Sequence, residues 1–301
     1  MKFGVKRSPL FYVGDKYKLM AEIKTHFPAR IRKFAEPFVG GGSVFMNVAA
    51  EEYILNDIDT NVIEIHKMLT QYVGREDEFL SKFYEYVRKY KMSLSFVEDT
   101  VPQELKTKYV KTYFARFNKE GYLQMRKDYN ASDRSDFLML YVLLIYGFNR
   151  MLRFNKSGDF NLPVGNVDFN KNTYNALIDY FHVMKDARVS WQNSDFRLFF
   201  ANLDLNEDDL VYCDPPYLIT FSEYNKLWND ETEIDLLNAL DELNRQGKRF
   251  AVSNVTHYKG RENVEFIKWS QQYNVYPIKS NYISYHDNTC KSFNEVLVTN
   301  Y

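Results

Sequence analysis

Lys33-Phe34-Ala35-Glu36-Pro37-Phe38-Val39-Gly40-Gly41-Gly42-Ser43-Val44-Phe45 is the stretch whose changes of period decide the fold. Lys33 to Phe38 is short and extended, the three glycines break it, and Ser43 is placed to cap a helix running through Val44, Phe45 and Val48. Tyr53 to Asp57 is a second short apolar run ending in acids, followed by a helix carrying Val62, Ile65 and Leu69. Upstream, Leu19, Met20, Ile23 and Phe27 recur at helical spacing until Pro28. Strand, glycine loop, helix, strand, helix is the opening of a parallel α/β sheet. Glycines between a strand and a helix let a ligand approach the backbone, which makes Pro37, Phe38, Gly40 and Gly42 candidate contacts. Asp57, at the end of the next strand, is placed to accept from ribose hydroxyls. Glu36, Asp57 and Asp59 leave the loop poor in positive charge, so an adenosine-type cofactor fits it better than a pyrophosphate dinucleotide.

From about residue 75 the pattern changes to long helical stretches. Residues 82 to 156 hold 15 Lys and Arg against 8 Asp and Glu, with 16 aromatic residues interleaved; residues 204 to 246 hold 12 acids and 2 bases. The formal net charge of −1 therefore hides a polarised molecule. After about residue 170 alternation returns: helix Tyr174 to Met184, strands Val189 to Gln192 and Leu210 to Cys213, helix Ile234 to Asn244, strand Phe250 to Ser253. Two extended runs, Asn274 to Lys279 and Glu295 to Val298, close the chain as an antiparallel hairpin on a sheet edge. The expected organisation is an α/β domain of residues 1–74 and 171–301 interrupted by a basic helical insertion, residues 75–170.

The strongest chemical signal is Asp214-Pro215-Pro216-Tyr217, directly after the apolar strand Leu210 to Cys213. Proline cannot continue a central strand, so the chain has to turn out at the carboxyl end of the sheet, where open α/β folds bind ligands. There a carboxylate and a prolyl carbonyl, both acceptors, can hold one exocyclic amino group with its nitrogen lone pair aimed at an electrophile. The Tyr217 ring is available to stack on the base that carries the amine.

Composition removes other classes. The 301 residues are 45% hydrophobic and 17% aromatic, a globular balance that excludes a disordered or polybasic chain. Two cysteines, Cys213 and Cys290, give no disulfide framework, and the five histidines, His26, His66, His182, His257 and His286, never fall at zinc-site spacings. No structural metal is expected. The start lacks an apolar signal core, and the run Phe137 to Phe148 is too short to cross a bilayer. A soluble protein of a reducing cytosol, with no membrane partner, is the expectation.

Together these segments resemble the Dam-like, α-group adenine DNA methyltransferases. Besides Glu36 to Phe45 and Asp214 to Tyr217, the resemblance takes in Ser8-Pro9-Leu10-Phe11-Tyr12-Val13-Gly14-Asp15-Lys16, Tyr146-Gly147-Phe148-Asn149-Arg150, Gly158 to Gly165, Val252-Ser253-Asn254 and Asn294-Glu295-Val296-Leu297. It implies a Rossmann-like, mixed, seven-stranded methyltransferase sheet with an inserted helical target-recognition domain. It also implies transfer of a methyl group from S-adenosylmethionine to the exocyclic amine of an adenine flipped out of duplex DNA. By position, Tyr12 and Lys16 contact the cofactor from the N-terminal segment, Asp57 holds its ribose, Asp195 and Phe196 line its adenine pocket, and Asp214 faces both cofactor and base. Asn149, Arg153 and Pro163 to Asn166 fall where the family reads DNA, with Arg153 placed to meet a guanine. The implied setting is the cytoplasm of a bacterial or phage-infected cell, at the nucleoid, with a cognate restriction endonuclease as a further partner.

The sequence departs from the pattern at three places. Tyr12 stands where many relatives carry Trp, Phe11 replaces a Lys that touches a base in some of them, and Asn166 stands where GATC-specific members have Arg. A GATC target is therefore not carried over. Rival readings are the same chemistry on the N4 amine of cytosine or on adenine in RNA, a non-catalytic DNA-binding protein on the same fold, and a nicotinamide oxidoreductase. The last leaves the Pro-Pro turn and the basic insertion unexplained.

Overall fold

The computed structural model describes residues 4–220, 228–279 and 293–301; Cys290 and His286 lie outside the described residues. Its strands are β1 (Lys33–Glu36), β2 (Glu52–Asn56), β3 (Arg188–Gln192), β4 (Leu210–Cys213), β5 (Arg249–Tyr258), β6 (Arg261–Glu262), β7 (Asn274–Ile278) and β8 (Phe293–Thr299). They form one sheet in the order β3-β2-β1-β4-β5-β8-β7, with the two-residue β6 paired to β5. β1 to β5 pair in parallel, while β8 runs antiparallel to both β5 and β7. The closing hairpin thus inserts β8 beside β5 and leaves β7 at the edge, which makes the sheet mixed.

The strands alternate in whom they serve. Phe34, Leu210, Tyr212, Ala251 and Leu297 belong to one hydrophobic cluster; their neighbours Ala35, Val211, Cys213, Phe250, Val252, Val296 and Val298 belong to another. A strand buried on both faces has helices on both faces. The helices are α1 (Met20–Ile23), α2 (Thr60–Gln71), α3 (Glu76–Lys89), α4 (Gln103–Lys108), α5 (Tyr113–Ala131), α6 (Phe137–Tyr146), α7 (Lys171–Asp186), α8 (Phe196–Ala201), α9 (Asp230–Arg245) and α10 (Val264–Ser270). α2, α3, α6 and α7 supply the first cluster, and α8, α9 and α10 the second. Helix α6 is apolar on every side, and each residue from Leu138 to Tyr146 is buried. No helix among the described residues is long and apolar enough to cross a membrane.

Two helical expectations are corrected. Only a 3-10 turn, Phe45–Asn47, follows the glycines, and Ser43 does not cap it. The Asn47 side chain binds the Lys6 backbone, accepting from its N–H at 2.8 Å and donating to its carbonyl at 2.7 Å, and Val48 is already extended. This competition from the N-terminal segment turns the chain toward β2 after one turn. The helix expected over Lys16 to Phe27 is likewise reduced to α1 and a 3-10 turn, Lys24–His26.

His66 on α2 fixes the underside of the glycine loop. Its Nε2 stands 2.9 Å from the Gly40 carbonyl, which can only accept, so Nε2 carries the proton and Nδ1, 3.1 Å from the Tyr180 hydroxyl, accepts. The ring is fully buried and stacks on Trp191 with centroids 4.7 Å apart. Burial lowers its pKa from 6.5 to about 4. An imidazole that the fold holds neutral supports stability fully above pH 6.5 and loses it as pH falls toward 4, because the unfolded chain takes up the proton first. The expected loss over that window is about 3 kcal/mol, read as a fall in the urea midpoint, and His66→Gln should remove that part of the slope.

Candidate active site

All the carboxyl ends of β1, β2, β3 and β4 open into one cavity of about 630 Å³, a size in the ordinary range for small-ligand sites. Glu36 ends β1, and the glycine loop leaves from it with Gly40 (φ 47°) and Gly42 (φ 81°) in the left-handed region. Gly41 is needed for a different reason: a Cβ there would fall 2.6 Å from Tyr12 Cβ. The N-terminal segment lies directly on the loop. It is held by the Ser8 hydroxyl, which donates to the Gly41 carbonyl, and by Tyr141 of α6, whose hydroxyl donates to the Pro9 carbonyl at 3.1 Å.

Asp57 follows β2, and its two oxygens accept the N–H groups of Gly40 and Asp59, both at 2.9 Å. Burial raises its pKa to about 6 against these hydrogen bonds. It braces the loop while keeping lone pairs for a ligand hydroxyl. Asp195 caps α8 by accepting from Arg197 N at 2.8 Å, which seats Phe196 in the cavity wall. There Phe38, Phe196 and Trp228 meet with ring centroids 5.5 to 5.7 Å apart, forming an aromatic wall of the cavity that Asp57 also lines.

At the far end of the cavity β4 delivers Asp214. Lys16 Nζ sits 2.8 Å from its Oδ2, and the Tyr217 hydroxyl donates to its Oδ1 at 2.8 Å. Glu295 of β8 backs both partners: its Oε1 is 3.6 Å from Lys16 Nζ and lies 3.2 Å from the Tyr217 hydroxyl, within reach as an alternative acceptor. Lys16 also lies 5.0 Å from the centre of the Tyr217 ring. Glu36 is buried, its carboxylate accepts from Phe45 N at 3.1 Å, and burial together with the charge of Asp214 pushes its pKa well up. Burial and Asp214 also raise Glu295, while Lys16 pulls it down. The site is a chamber rich in carboxyl groups, with an aromatic wall and a carboxylate bonded to Lys16 and Tyr217.

A family model describing D12 class N6 adenine-specific DNA methyltransferases matches residues 12–283. The chain belongs to that family. Over 305 residues the chain is 36% identical to the type II methyltransferase M.FokI of Planomicrobium okeanokoites, covering 98% of this chain and 43% of that protein. It is 34% identical to the modification methylase StsI of Streptococcus sanguinis, with the same coverage of each. The DNA adenine methylase of Escherichia coli strain K12 is 33% identical over 217 residues, 70% of this chain and 65% of its own. The chain thus spans less than half the length of the first two relatives.

Every residue that the sequence singled out as a cofactor or catalytic candidate lines this one cavity: Tyr12, Lys16, Pro37, Phe38, Gly40, Gly42, Asp57, Asp195, Phe196, and Asp214 to Tyr217. The four DNA candidates do not. Asn149 is exposed with φ 54° and ψ 13°, Pro163 is exposed and its carbonyl accepts from Phe148 N at 2.9 Å, and the other two are tied within the chain. Arg153 grips Asn161 through Nε to Oδ1 and Nη2 to the carbonyl, each at 2.9 Å. The Asn166 amide donates to the Lys111 carbonyl at 2.6 Å and accepts from Ala115 N at 3.2 Å. Phe11 lies between two guanidinium groups, Arg150 at 3.8 Å and Arg7 at 4.5 Å from its ring centre.

Sequence reasoning missed Asn56, Trp228 and Glu295. Buried Asn56 donates to the carbonyls of Pro37 and Ser194, each at 2.9 Å, and accepts the Ser194 N–H and hydroxyl, each at 3.0 Å, so one amide ties the ends of β1, β2 and β3 together. Its place one residue before Asp57 was the available signal. Trp228 had none; Glu295 was quoted only as part of a terminal motif.

Two outcomes follow. Gly41→Ala should displace Tyr12, lower the melting temperature measurably and, on the function proposed below, weaken S-adenosylmethionine binding about tenfold in calorimetry. On the function proposed below, affinity for S-adenosylmethionine should fall as pH drops through about 6, where Asp57 takes up a proton and loses acceptor capacity; in Asp57→Asn that pH dependence should flatten.

Proposed function

We propose that the chain transfers the methyl group of S-adenosylmethionine to the N6 amine of an adenine flipped out of a short duplex DNA site. The observation that carries this reading is the placing of Asp214 and Tyr217, at the end of a central strand, in the same cavity as the glycine loop, Asp57 and the aromatic wall. The cavity fits the cofactor's chemistry: an acid for ribose hydroxyls, aromatic faces for adenine, and an excess of buried carboxyl groups toward a positively charged ligand. S-adenosylmethionine supplies an electrophilic methyl group on a sulfonium.

The chain's own residues do the positioning. Asp57 takes the ribose, Phe38, Phe196 and Trp228 flank the adenine ring, and Tyr12 covers the glycine loop. Asp214 and the Pro215 carbonyl accept the two hydrogens of the target amine, so that its lone pair faces the methyl group, and Tyr217 packs on the flipped base. Orientation and electrostatics suffice for such an in-line transfer.

On this reading residues 75–170 form the target-recognition domain and residues 1–74 with 171–301 the cofactor-binding domain. The duplex contacts Asn149, Arg153, Pro163 and Asn166 beside the basic helices, and extrusion of the base costs a few kcal/mol, supplied by protein contacts. A restriction endonuclease acting on the same site is the proposed partner, supported by the modification methylases among the relatives. The bacterial cytoplasm is the proposed location.

Purified protein incubated with methyl-labelled cofactor and unmethylated genomic DNA should yield labelled N6-methyladenine within one short motif. Label on cytosine or on RNA would overturn the substrate assignment. Asp214→Ala should abolish transfer while retaining DNA binding in a gel-shift assay; turnover near that of the wild type would remove Asp214 from this role.

A further inference from the structure

We infer that Glu295 is the positioning residue that clears Asp214 for the target amine, by taking over the hydroxyl hydrogen bond that Tyr217 now makes to Asp214. The inference rests on reading Asp214 as the acceptor of that amine. Both oxygens of Asp214 already receive a donor, Lys16 Nζ on Oδ2 and the Tyr217 hydroxyl on Oδ1, each at 2.8 Å. An arriving N–H can reach only the second lone pair of an oxygen that already accepts, and an acceptor shared between donors binds each less well. Lys16 is held by charge. The Tyr217 hydroxyl has one hydrogen and a second acceptor within reach, Glu295 Oε1 at 3.2 Å.

Glu295 suits this task. It stands on β8 opposite Val255 of β5, so strand pairing fixes its position. Its side chain is fully buried and its Oε2 has no hydrogen-bond partner among the described residues, which leaves acceptor capacity unspent. Lys16 Nζ, 3.6 Å away, favours its charged form. In the handover the O–H bond stays on Tyr217 and only the acceptor changes, from Asp214 Oδ1 to Glu295; no proton or charge is transferred. Two carboxylates then divide the work: Asp214 keeps Lys16 and receives the amine, while Glu295 holds the tyrosine aside.

The test is single-turnover methylation at saturating DNA and cofactor, with calorimetric binding of each. Glu295→Gln keeps the shape and weakens the acceptor, and should slow transfer about tenfold while both affinities stay within about threefold. In a Tyr217→Phe background, where there is no hydroxyl to hand over, the same substitution should change the rate less than about twofold. Glu295→Asp, which keeps the charge beside Lys16 but withdraws the acceptor, should repeat this pattern and carries the test where the Gln variant does not fold. An active enzyme whose Glu295 variants transfer at the wild-type rate, or lose rate equally in both backgrounds, overturns the handover alone. A wild-type chain that methylates no adenine overturns the handover together with the reading of Asp214.

Discussion

One buried ammonium group holds the site together. Lys16 is 3% exposed and has Asp214 and Glu295 within 3.6 Å, with Glu36 also buried and raised by the charge of Asp214. One cation faces two carboxyl groups. Burying an ion pair gives back little more than its desolvation costs, and an unbalanced cluster gives back less, so a chain selected for stability alone would place apolar side chains here. The imbalance has a use where a ligand brings positive charge of its own. On the proposed function, a chamber short of one cation discriminates, by charge, between a sulfonium and the neutral thioether left after methyl transfer.

That cluster draws on three parts of the chain distant in sequence, and strand order is what makes them meet. β4 lies between β1 and β5, and β8 enters beside β5, so the end of β4 is bracketed by the glycine loop on one side and Glu295 on the other. The N-terminal segment is in no strand. It reaches Asp214 because Ser8 and Pro9 are bonded to the glycine loop and to α6, with Gly41 bare enough to let Tyr12 lie against it. Asn56 supplies the remaining constraint: with four hydrogen bonds from one amide, the ends of β1, β2 and β3 cannot move independently. The cavity is thus braced beside Asp57.

Much of this was legible in the sequence because short strands followed by glycine, acid or proline mark strand ends directly. The turn at Asp214 showed itself because two prolines cannot stay in a central strand, and Asp57 because an acid closes an apolar run. What stayed hidden depends on contacts between distant segments. The helix expected after Ser43 loses to a bond between Asn47 and Lys6, 41 residues apart, which no local pattern records. Trp228 joins the aromatic wall only through packing on Phe38 and Phe196, and Glu295 is an acid directly before the apolar run Val296 to Val298 whose purpose shows only when β8 is set beside β5. Motifs reveal which residues do chemistry; the groups that hold them come from topology.

The same distinction bears on the recognition side. Arg153 and Asn166, the two residues whose chemistry most resembles base reading, spend their hydrogen bonds on Asn161, Lys111 and Ala115. A guanidinium has five donors and a carboxamide keeps spare capacity, so neither is excluded from a duplex, but each is oriented by protein first. On the proposed reading this is preorganisation: side chains already fixed lose little freedom when a groove arrives, and specificity then depends on where the loops hold them rather than on how far they can reach. It also explains how Phe11 is tolerated where relatives place a lysine. Its ring lies between Arg7 and Arg150, so positive charge remains at that corner, carried on two arginines packed against an aromatic face.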